Sequence, residues 1–338
     1  MIDLLIAGGG PAGLAAALYG ARAGLDVAVV ERRRGTLDKA CGEGMMPHTV
    51  AHLNRLGVAP AGRPLRGIAY LDGCRRIEAS FRAGPGLGVR RTVLHAALSD
   101  AARAAGVQFI HGDIGDIGQD ADSVQAAGLH ARYLAAADGL HSPIRRAMGL
   151  SQPNRGQRRW GIRRHVQTAP WSDCVEVHWA AGSEAYVTPV ADDCVGIAIL
   201  SSSRGGFDRH LTDFPALTER IEGRPHGPDR AAGPLRQNVR NRTAGRVLLV
   251  GDAAGYIDAL TGEGLGLAFG AAELLVNCIV AQRPEDYDPQ WRALTRRYRM
   301  LTAGLVRAGS VPLLRSRIVP AARALPTVFA GVVNQLAA

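Results

Sequence analysis

Three glycines near the N-terminus, Gly8, Gly10 and Gly13, constrain the fold of this chain more than any other feature. They have the spacing Gly-x-Gly-x-x-Gly and separate an apolar run, 2–7, from an alanine-rich segment, 14–23, that is typical of a helix. In a strand–turn–helix unit the first glycine permits a tight turn, the second lets the backbone approach a pyrophosphate, and the third lets helix and strand pack closely. The helix N-terminus then offers free N–H groups to the phosphates. The motif therefore predicts a dinucleotide site.

The strand after this helix ends in an acidic residue. A largely apolar run, 25–30, leads to Glu31 and completes a β-α-β unit. A carboxylate at this strand end accepts hydrogen bonds from a ribose in dinucleotide-binding folds. Glu31, its neighbour Arg32, and Ala12 in the first helical turn are therefore predicted to contact the cofactor. The alternative is a glycine-rich turn in an ordinary α/β sheet.

The rest of the chain indicates a second kind of sheet. Residues 65–82 alternate apolar and polar, and between 158 and 200 strand-like segments are separated by turn residues, a pattern that favours antiparallel strands. The predicted fold class is α/β with an α+β second domain: a Rossmann-like cofactor domain, an inserted antiparallel-sheet substrate domain and C-terminal helices. The predicted limits are 1–62, 88–157 and 236–290 for the cofactor domain, 63–87 and 158–235 for the substrate domain, and 291–338 for the helices.

The composition limits the class of partner. Forty Lys+Arg against 30 Asp+Glu give a formal net charge of +10, and Lys39 is the only lysine. Such a charge suits nucleic acid, an anionic membrane or an acidic substrate. It also follows from a GC-rich genome, which replaces lysine by arginine. Because the arginines are scattered and aromatic residues make up only 5% of the chain, we favour this second explanation and predict a small-molecule substrate rather than nucleic acid.

Cysteine usage and hydropathy indicate the compartment. The five cysteines, at 41, 74, 174, 194 and 278, have no metal-ligand spacing, which favours reduced thiols and no metal site. No basic segment precedes the first apolar run, and no stretch of 18 uncharged apolar residues occurs. We therefore expect a cytoplasmic protein without a transmembrane segment; the oligomeric state is left open.

Two later motifs identify the cofactor. Residues 137–145, Ala-Asp-Gly-Leu-His-Ser-Pro-Ile-Arg, have the form Asp-Gly-x-x-Ser-x-x-Arg, and Gly251-Asp252 follows an apolar strand. With these motifs the sequence resembles, over about residues 1–290, the FAD-dependent aromatic hydroxylases (group A flavoprotein monooxygenases) and the related geranylgeranyl reductases. The resemblance implies that Gly251 and Asp252 hold the ribityl chain of FAD. It also implies that the motif of Asp138, Gly139 and Arg145 lies by the pyrophosphate.

The resemblance extends to two further segments. Arg91-x-x-Leu94 opens a predicted helix where the superfamily has an arginine near the flavin. Residues 261–265, Thr-Gly-Glu-Gly-Leu, look like the turn that places a helix N-terminus beside the isoalloxazine ring, which implies contacts from Gly262, Gly264 and Leu265. Since a helix N-terminus stabilises negative charge, it suits a reduced flavin. A second Gly-x-Gly-x-x-Gly unit does not occur, so NAD(P)H is expected to act as a transient reductant.

The reaction is less constrained than the cofactor. Asp258-Ala259 stands where the superfamily often has Asp-Pro, and Cys41-Gly42-Glu43-Gly44 resembles the Cys-Gly-Gly-Gly loop of geranylgeranyl reductases. No Gly-Trp-x-Trp-x-Ile-Pro motif occurs, which disfavours a flavin-dependent halogenase. Our leading hypothesis is an NAD(P)H-dependent monooxygenase of secondary metabolism that uses O₂ and hydroxylates a phenolic or polyketide-like molecule through a flavin C4a-hydroperoxide. The alternative is a geranylgeranyl-reductase-like enzyme that reduces an isoprenoid or other alkene; a non-catalytic flavin protein or a basic nucleic-acid binder is more distant.

Several side chains are candidates for the chemistry. Glu43 and His48 flank the loop expected near the flavin and suit a general base, and Cys41 suits a redox or covalent role. Each has an ordinary alternative as a capping, surface or small loop residue. The candidates for the substrate pocket are His165, His178, Tyr186 and Pro189, on predicted strands of which about half of the side chains face the pocket.

The C-terminal helices carry apolar residues beside arginines, so contact with a membrane surface is one interpretation. The arginines are Arg307, Arg315, Arg317 and Arg323. We favour the other interpretation, in which these helices cap the flavin domain.

Overall fold

A computed structural model describes residues 1–73, 75–154 and 156–337, so Cys74, Arg155 and Ala338 lie outside the described residues. The strands are, in chain order, β1 (Ile2–Ala7), β2 (Val27–Glu31), β3 (Gly44–Met45), β4 (Arg63–Leu65), β5 (Gly67–Asp72), β6 (Arg75–Ser80), β7 (Gly86–Gly88), β8 (Gln108–His111), β9 (Gly118–Gln119), β10 (Val124–Ala126), β11 (Leu129–Ala136), β12 (Ser151–Gln152), β13 (Trp160–Gln167), β14 (Cys174–Ala180), β15 (Ser183–Ala191), β16 (Cys194–Ser201), β17 (Arg230–Ala232), β18 (Asn238–Val239), β19 (Thr243–Ala244) and β20 (Val247–Leu249).

Helices follow most of the parallel strands and form the C-terminal segment. They are α1 (Pro11–Arg22), α2 (Pro47–Arg55), α3 (Arg91–Ala104), α4 (Pro143–Ala147), α5 (Phe207–Leu211), α6 (Pro215–Ile221), α7 (Gly264–Val280), α8 (Tyr287–Ser310), α9 (Pro312–Ala324) and α10 (Pro326–Ala337). Short 3-10 turns cover Gly251–Ala254 and Pro284–Asp286.

The first sheet is built on parallel strands with the order β20-β11-β1-β2-β8. Its central strand β1 has Leu4, Leu5 and Ile6 fully buried, as expected for a parallel strand that helices cover on both faces. The α1 helix packs beside α3 and α7 on this sheet. Because the strands are parallel, the loops after β1, β2, β11 and β20 meet at one edge, which is where open α/β sheets bind ligands.

A second sheet has the order β17-β13-β16-β15-β14-β5-β6. The prediction of an antiparallel sheet is correct for most neighbours, but β5 and β14 run parallel. In the chain, β5 and β14 are separated by several strands of the first sheet, β8 to β11. A connection of that length can bring the chain back to the end of the second sheet at which β5 begins, so that β14 runs in the same direction as β5. The domain limits given above remain predictions.

A small sheet of β3, β7 and β4 fixes the loop that contains Cys41 and Glu43. A Cβ on Gly88 would lie 1.8 Å from the carbonyl oxygen of Pro189, so β7 packs directly on β15. The loop before β3 is thereby held between the edge of the first sheet and the inner face of the second.

The C-terminal segment forms three successive helices, α8, α9 and α10. Pro320 lies inside α9, whereas Pro312 and Pro326 begin helices. Proline costs α9 one backbone hydrogen bond, and the neighbouring Val319 is buried in the core cluster that α9 and α10 form with β5 and β6. Among the described residues, none of the helices combines the length and the apolarity needed to cross a bilayer.

Candidate cofactor and substrate site

A cavity of about 970 Å³ lies between the carboxyl edge of the parallel sheet, the second sheet and helices α9 and α10. This volume is at the upper end of the range of about 300–1,000 Å³ for ligand pockets. One side is lined by the glycine-rich and acidic motifs that the sequence assigned to the cofactor. The cavity-lining residues from those motifs are Gly10, Ala12, Arg32, Arg91, Asp138, Gly139, Gly251, Asp252, Gly262, Gly264 and Leu265.

The three N-terminal glycines fit a bound diphosphate. Gly8 has φ +108°, and a Cβ there would lie 2.6 Å from the carbonyl oxygen of Ala137. A Cβ on Gly13 would lie 2.0 Å from the carbonyl oxygen of Gly8, so α1 starts in direct contact with the turn. A Cβ on Gly10 would meet nothing within 4 Å. The space over Gly10, at the N-terminus of α1, is therefore open for a phosphate group.

Several charged side chains line this half of the cavity, and one of them is Lys39, the only lysine in the chain. Asp252 lines the open cavity and its side chain is exposed within it. Desolvation at this depth raises its pKa, and the charges of Lys39 and Arg91 oppose that rise. Burial and the neighbouring arginines lower the pKa of Lys39. A carboxylate and an amine that face the same open space can bind the hydroxyl and phosphate groups of a dinucleotide.

Two residues of the Asp-Gly motif have different roles: Asp138 lines the cavity, and Arg145 supports the loops around it. Asp138 lines the cavity, its Oδ2 accepts a hydrogen bond of 3.0 Å from the N–H of Ile144, and its buried Oδ1 has no partner among the described residues. Arg145 does not line the cavity. It donates to the carbonyl oxygens of Ala253 and Leu140, both at 3.0 Å, and so joins the Asp-Gly loop to the Gly-Asp loop. Arg145 was predicted to contact the cofactor, but the structure places it behind the cavity wall, where it supports the two loops.

Glu31 also stands behind the cavity wall. Its Oε2 accepts from the N–H of Gly9 and its Oε1 from the N–H of Arg33, both at 2.9 Å. These bonds hold the glycine-rich turn in place. Each carboxylate oxygen has a further lone pair, so the predicted hydrogen bond to a ribose stays compatible with this arrangement.

The structure brings Glu43 together with His165. Glu43 lines the cavity, and its Oε1 accepts a hydrogen bond of 2.7 Å from the N–H of Arg91, while its Oε2 lies 2.6 Å from Nε2 of His165. Glu43 has φ +60°, a backbone conformation that costs a non-glycine residue about 1 kcal/mol or more. A Cβ on Gly196 would lie 2.8 Å from Oε2 of Glu43. A strained residue held by two hydrogen bonds is typical of a functional site.

Cys41 lines the same stretch of the cavity. Its Sγ accepts from the N–H of Glu43 at 3.4 Å, and the Arg91 guanidinium lies 4.0 Å away. The thiol therefore faces the space shared by the cofactor motifs and Glu43.

Four predicted pocket or catalytic residues do not line the cavity, so these placements are corrected: His165 lies behind Glu43, and His48, His178 and Pro189 lie elsewhere. His48 packs against α7, where a Cβ on Gly266 would lie 2.0 Å from its Nε2, and burial lowers its pKa. His178 faces Glu176, with Nε2 3.2 Å from Oε2. Pro189 contacts β7. Side chains alternate along a strand, and on β14 and β15 the cavity is lined by Val175, Val177, Tyr186 and Thr188.

The other half of the cavity is apolar. Tyr186 lines it and donates its hydroxyl hydrogen to the carbonyl oxygen of Leu260 at 2.9 Å. Tyr70 packs against Trp179 and Phe329, with ring centroids 5.5 and 4.9 Å apart, and burial raises its pKa to about 12. The aliphatic lining includes Ile68, Val177, Ala198, Leu200, Ile318, Val328, Val332 and Leu336.

Sequence reasoning missed two parts of this site. Lys39 was noted only as the single lysine, although a lysine retained in an arginine-rich chain is itself a signal. The walls supplied by α9 and α10 were missed because their apolar residues are equally suited to packing.

Two buried acids lie near the loop before α7. Asp258 pairs with Arg159 at 3.1 Å, and burial raises its pKa to about 6. Glu263 is buried, its Oε1 has no hydrogen-bond partner among the described residues, and burial raises its pKa to about 8. Glu263 itself does not line the cavity, but Gly262 and Gly264 on either side do.

Comparisons with known proteins agree with this geometry. Residues 1–282 match the model of the FAD binding domain family. The chain is 30% identical over 322 residues to menaquinone reductase of Mycobacterium tuberculosis, with 81% of this chain and 76% of that protein covered. It is 26% identical over 334 residues to digeranylgeranylglycerophospholipid reductase 1 of Methanothermobacter thermautotrophicus, with 85% and 81% covered. A flavoprotein/dehydrogenase of Cytophaga hutchinsonii has the same fold, with a TM-score of 0.85 at 17% identity over 99% of this chain and 92% of that chain.

Proposed function

Because this chain belongs to the FAD binding domain family, we propose that it is an FAD-dependent reductase that hydrogenates a carbon–carbon double bond of an isoprenoid lipid. The observation that carries the proposal is the apolar half of the cavity, which continues directly from the cofactor motifs to α9 and α10. A wall of aliphatic and aromatic side chains suits a long apolar chain. Two relatives named after isoprenoid lipids support this choice of substrate class.

Glu43 is the proposed proton donor. FAD, when bound and reduced, supplies the hydride for such an addition. One proton must join the other carbon, so that hydride and proton together convert the double bond into a single bond. The carboxyl of Glu43 borders the cavity and accepts a hydrogen bond from Nε2 of His165, so the proton that Glu43 donates must occupy another lone pair of the carboxyl. His165 does not line the cavity and is a positioning residue; the thiol of Cys41 is the alternative donor.

NAD(P)H is the proposed electron donor. Arg204 and Arg230 line the cavity, and the Arg204 guanidinium lies 5.3 Å from the ring centroid of Trp160. Guanidinium groups bind phosphates in a bidentate manner, so this side suits a transiently bound dinucleotide. Anaerobic addition of NADPH or NADH, followed at the flavin absorbance, tests the donor. Bleaching by neither cofactor, with and without the lipid, would contradict it.

The decisive experiment follows the product of a single turnover. The FAD-loaded protein is reduced with dithionite without oxygen, mixed with menaquinone or a geranylgeranyl lipid, exposed to air and analysed by mass spectrometry. The expected product retains two added hydrogens after exposure to air. Reduction of a quinone ring alone gives a quinol that air returns to the starting mass, and that result would replace alkene reduction by quinone reduction. Protein stripped of FAD is the control.

Hydroxylation of a phenolic molecule is the competing prediction from the sequence. It inserts one oxygen atom into the product and consumes O₂ in proportion to the substrate. Oxygen uptake during NAD(P)H oxidation therefore separates the two reactions. Substrate-dependent uptake with an oxygenated product would overturn the reductase proposal.

A further inference from the structure

The excess of positive over negative charge in this protein lies mainly in its C-terminal segment. Residues 289–338 contain eight arginines and no aspartate or glutamate, so this segment accounts for most of the net charge of +10. Four of these arginines lie at the end of α8 and on α9, and no carboxylate of the described residues pairs with them. They are Arg307, Arg315, Arg317 and Arg323.

The segment from the end of α8 to the start of α10 exposes large apolar side chains. Leu313 is 71% exposed, Leu325 57% and Val328 56%, and Val311 and Leu314 are exposed beside them. We call these five residues the C-terminal patch. Several large apolar side chains exposed on neighbouring helices and accompanied by charged residues are typical of a binding surface rather than an ordinary solvated face.

The C-terminal patch is continuous with the substrate cavity. Leu313, Arg317 and Ala321 follow a spacing of four residues and therefore lie along one side of α9, and Leu325 follows its last residue. Ala321, Leu325 and Val328 line the cavity and are also exposed at the surface. The cavity thus opens between α9 and α10, next to the exposed leucines.

We propose that the C-terminal patch docks on the surface of an anionic lipid bilayer, so that a lipid enters the cavity directly from the membrane. Leucines insert at the boundary of headgroups and acyl chains, and arginines beside them attract anionic headgroups. This charge complementarity favours a bilayer over a second copy of the chain, because two copies would oppose the same arginines. The inference builds on the proposed lipid substrate, but docking is measured without turnover.

Vesicle flotation tests the docking. The FAD-loaded protein is mixed with vesicles of phosphatidylcholine alone or of equal parts phosphatidylcholine and phosphatidylglycerol. It is expected to float with the anionic vesicles, and high salt is expected to release it because salt screens surface charge. Leu313→Ser with Leu314→Ser, which lie outside the cavity lining, should weaken binding at least about tenfold through lost apolar burial.

Charge variants complete the test. Replacing Arg315, Arg317 and Arg323 by glutamine should weaken binding to anionic vesicles roughly a hundredfold, at roughly fivefold per arginine. The matched control replaces exposed arginines of the α5–α6 region, Arg209, Arg220 and Arg224, and should float like the unchanged protein. Unchanged flavin absorbance in each variant shows that the fold is intact.

Three outcomes would overturn the docking proposal. They are absence of flotation at low salt, flotation that neither set of variants alters, and a concentration-dependent dimer that Leu313→Ser with Leu314→Ser abolishes in the absence of vesicle binding. Failure of lipid reduction with intact flotation would instead contradict only the proposed function.

Discussion

Oε2 of Glu43 lies 2.6 Å from Nε2 of His165, and this contact joins the loop before β3 to the middle of β13. Nη1 of Arg163 lies 2.9 Å from Nδ1 of His165. Since a guanidinium has only donors, Nδ1 must accept, and the hydrogen of the neutral ring is on Nε2. Arg163 in turn is ion-paired with Asp38. The imidazole is therefore held in one tautomer, with its N–H directed at the carboxyl that borders the cavity.

Glu43→Gln is expected to slow lipid reduction roughly a hundredfold or more, because it removes the proposed proton donor. The reduction of the flavin by NAD(P)H should not change. Stopped-flow absorbance measures the reduction of the flavin, and the rate of product formation measures the reduction of the lipid. The exposed Glu222→Gln is the control. Equal product formation in the two variants would exclude Glu43 as the donor.

His165→Gln tests the positioning role separately. The variant keeps a polar side chain beside Glu43 but loses the fixed tautomer, so the pH profile of product formation should shift while the KM for the lipid stays within about twofold. A lower rate with an unchanged pH profile would indicate a purely structural role.

Gly10→Ala and Gly13→Ala form a matched pair for the cofactor site. A methyl group on Gly10 enters open space, so the melting temperature of the FAD-free protein should stay the same while the Kd for FAD rises at least about tenfold. A methyl group on Gly13 meets the Gly8 carbonyl at 2.0 Å and should destabilise the fold by several kcal/mol. Thermal melting and flavin fluorescence titration measure the two effects. Tight FAD binding by Gly10→Ala would place the diphosphate elsewhere.

Asp252→Ala is expected to weaken FAD retention by about ten- to a hundredfold, because a hydrogen bond to a charged group contributes about 1.5–3 kcal/mol. Asp122→Ala, at a fully exposed position, is the control. Both proteins are stripped of flavin and titrated with FAD. Full occupancy of Asp252→Ala after gel filtration would remove Asp252 from the cofactor site.

The fold and the cofactor were predictable because their signals are local. The glycines, Asp138 and Asp252 each follow a strand within a few residues, and parallel strands bring such positions to one edge. The comparisons confirm the superfamily and FAD. The reaction is not fixed by those signals, and hydroxylation and alkene reduction remain separate predictions.

The substrate side was harder to predict because it depends on contacts between distant residues. Glu43 and His165 are 122 residues apart, and periodicity does not show which face of β13 meets the cofactor loop. His178 was misplaced because one step along a strand reverses the direction of a side chain. The exposure of Leu325 at a cavity mouth depends on how α9 and α10 pack, which their apolar pattern leaves open.

Glu263 predicts the pH dependence of stability. Burial raises its pKa from 4.5 to about 8, so between these values the folded protein binds a proton that the unfolded chain releases. Stability therefore falls as the pH rises through this interval, by a few kcal/mol at about 1.4 kcal/mol for each pH unit. Glu263→Gln removes this titration, since the amide stays neutral. Its melting temperature should exceed that of the unchanged protein at pH 9 and approach it at pH 5, whereas Glu222→Gln should follow the unchanged protein throughout. If the melting temperatures of Glu263→Gln and of the unchanged protein changed with pH in the same way between pH 5 and pH 9, the Glu263 carboxyl would be charged in the folded protein.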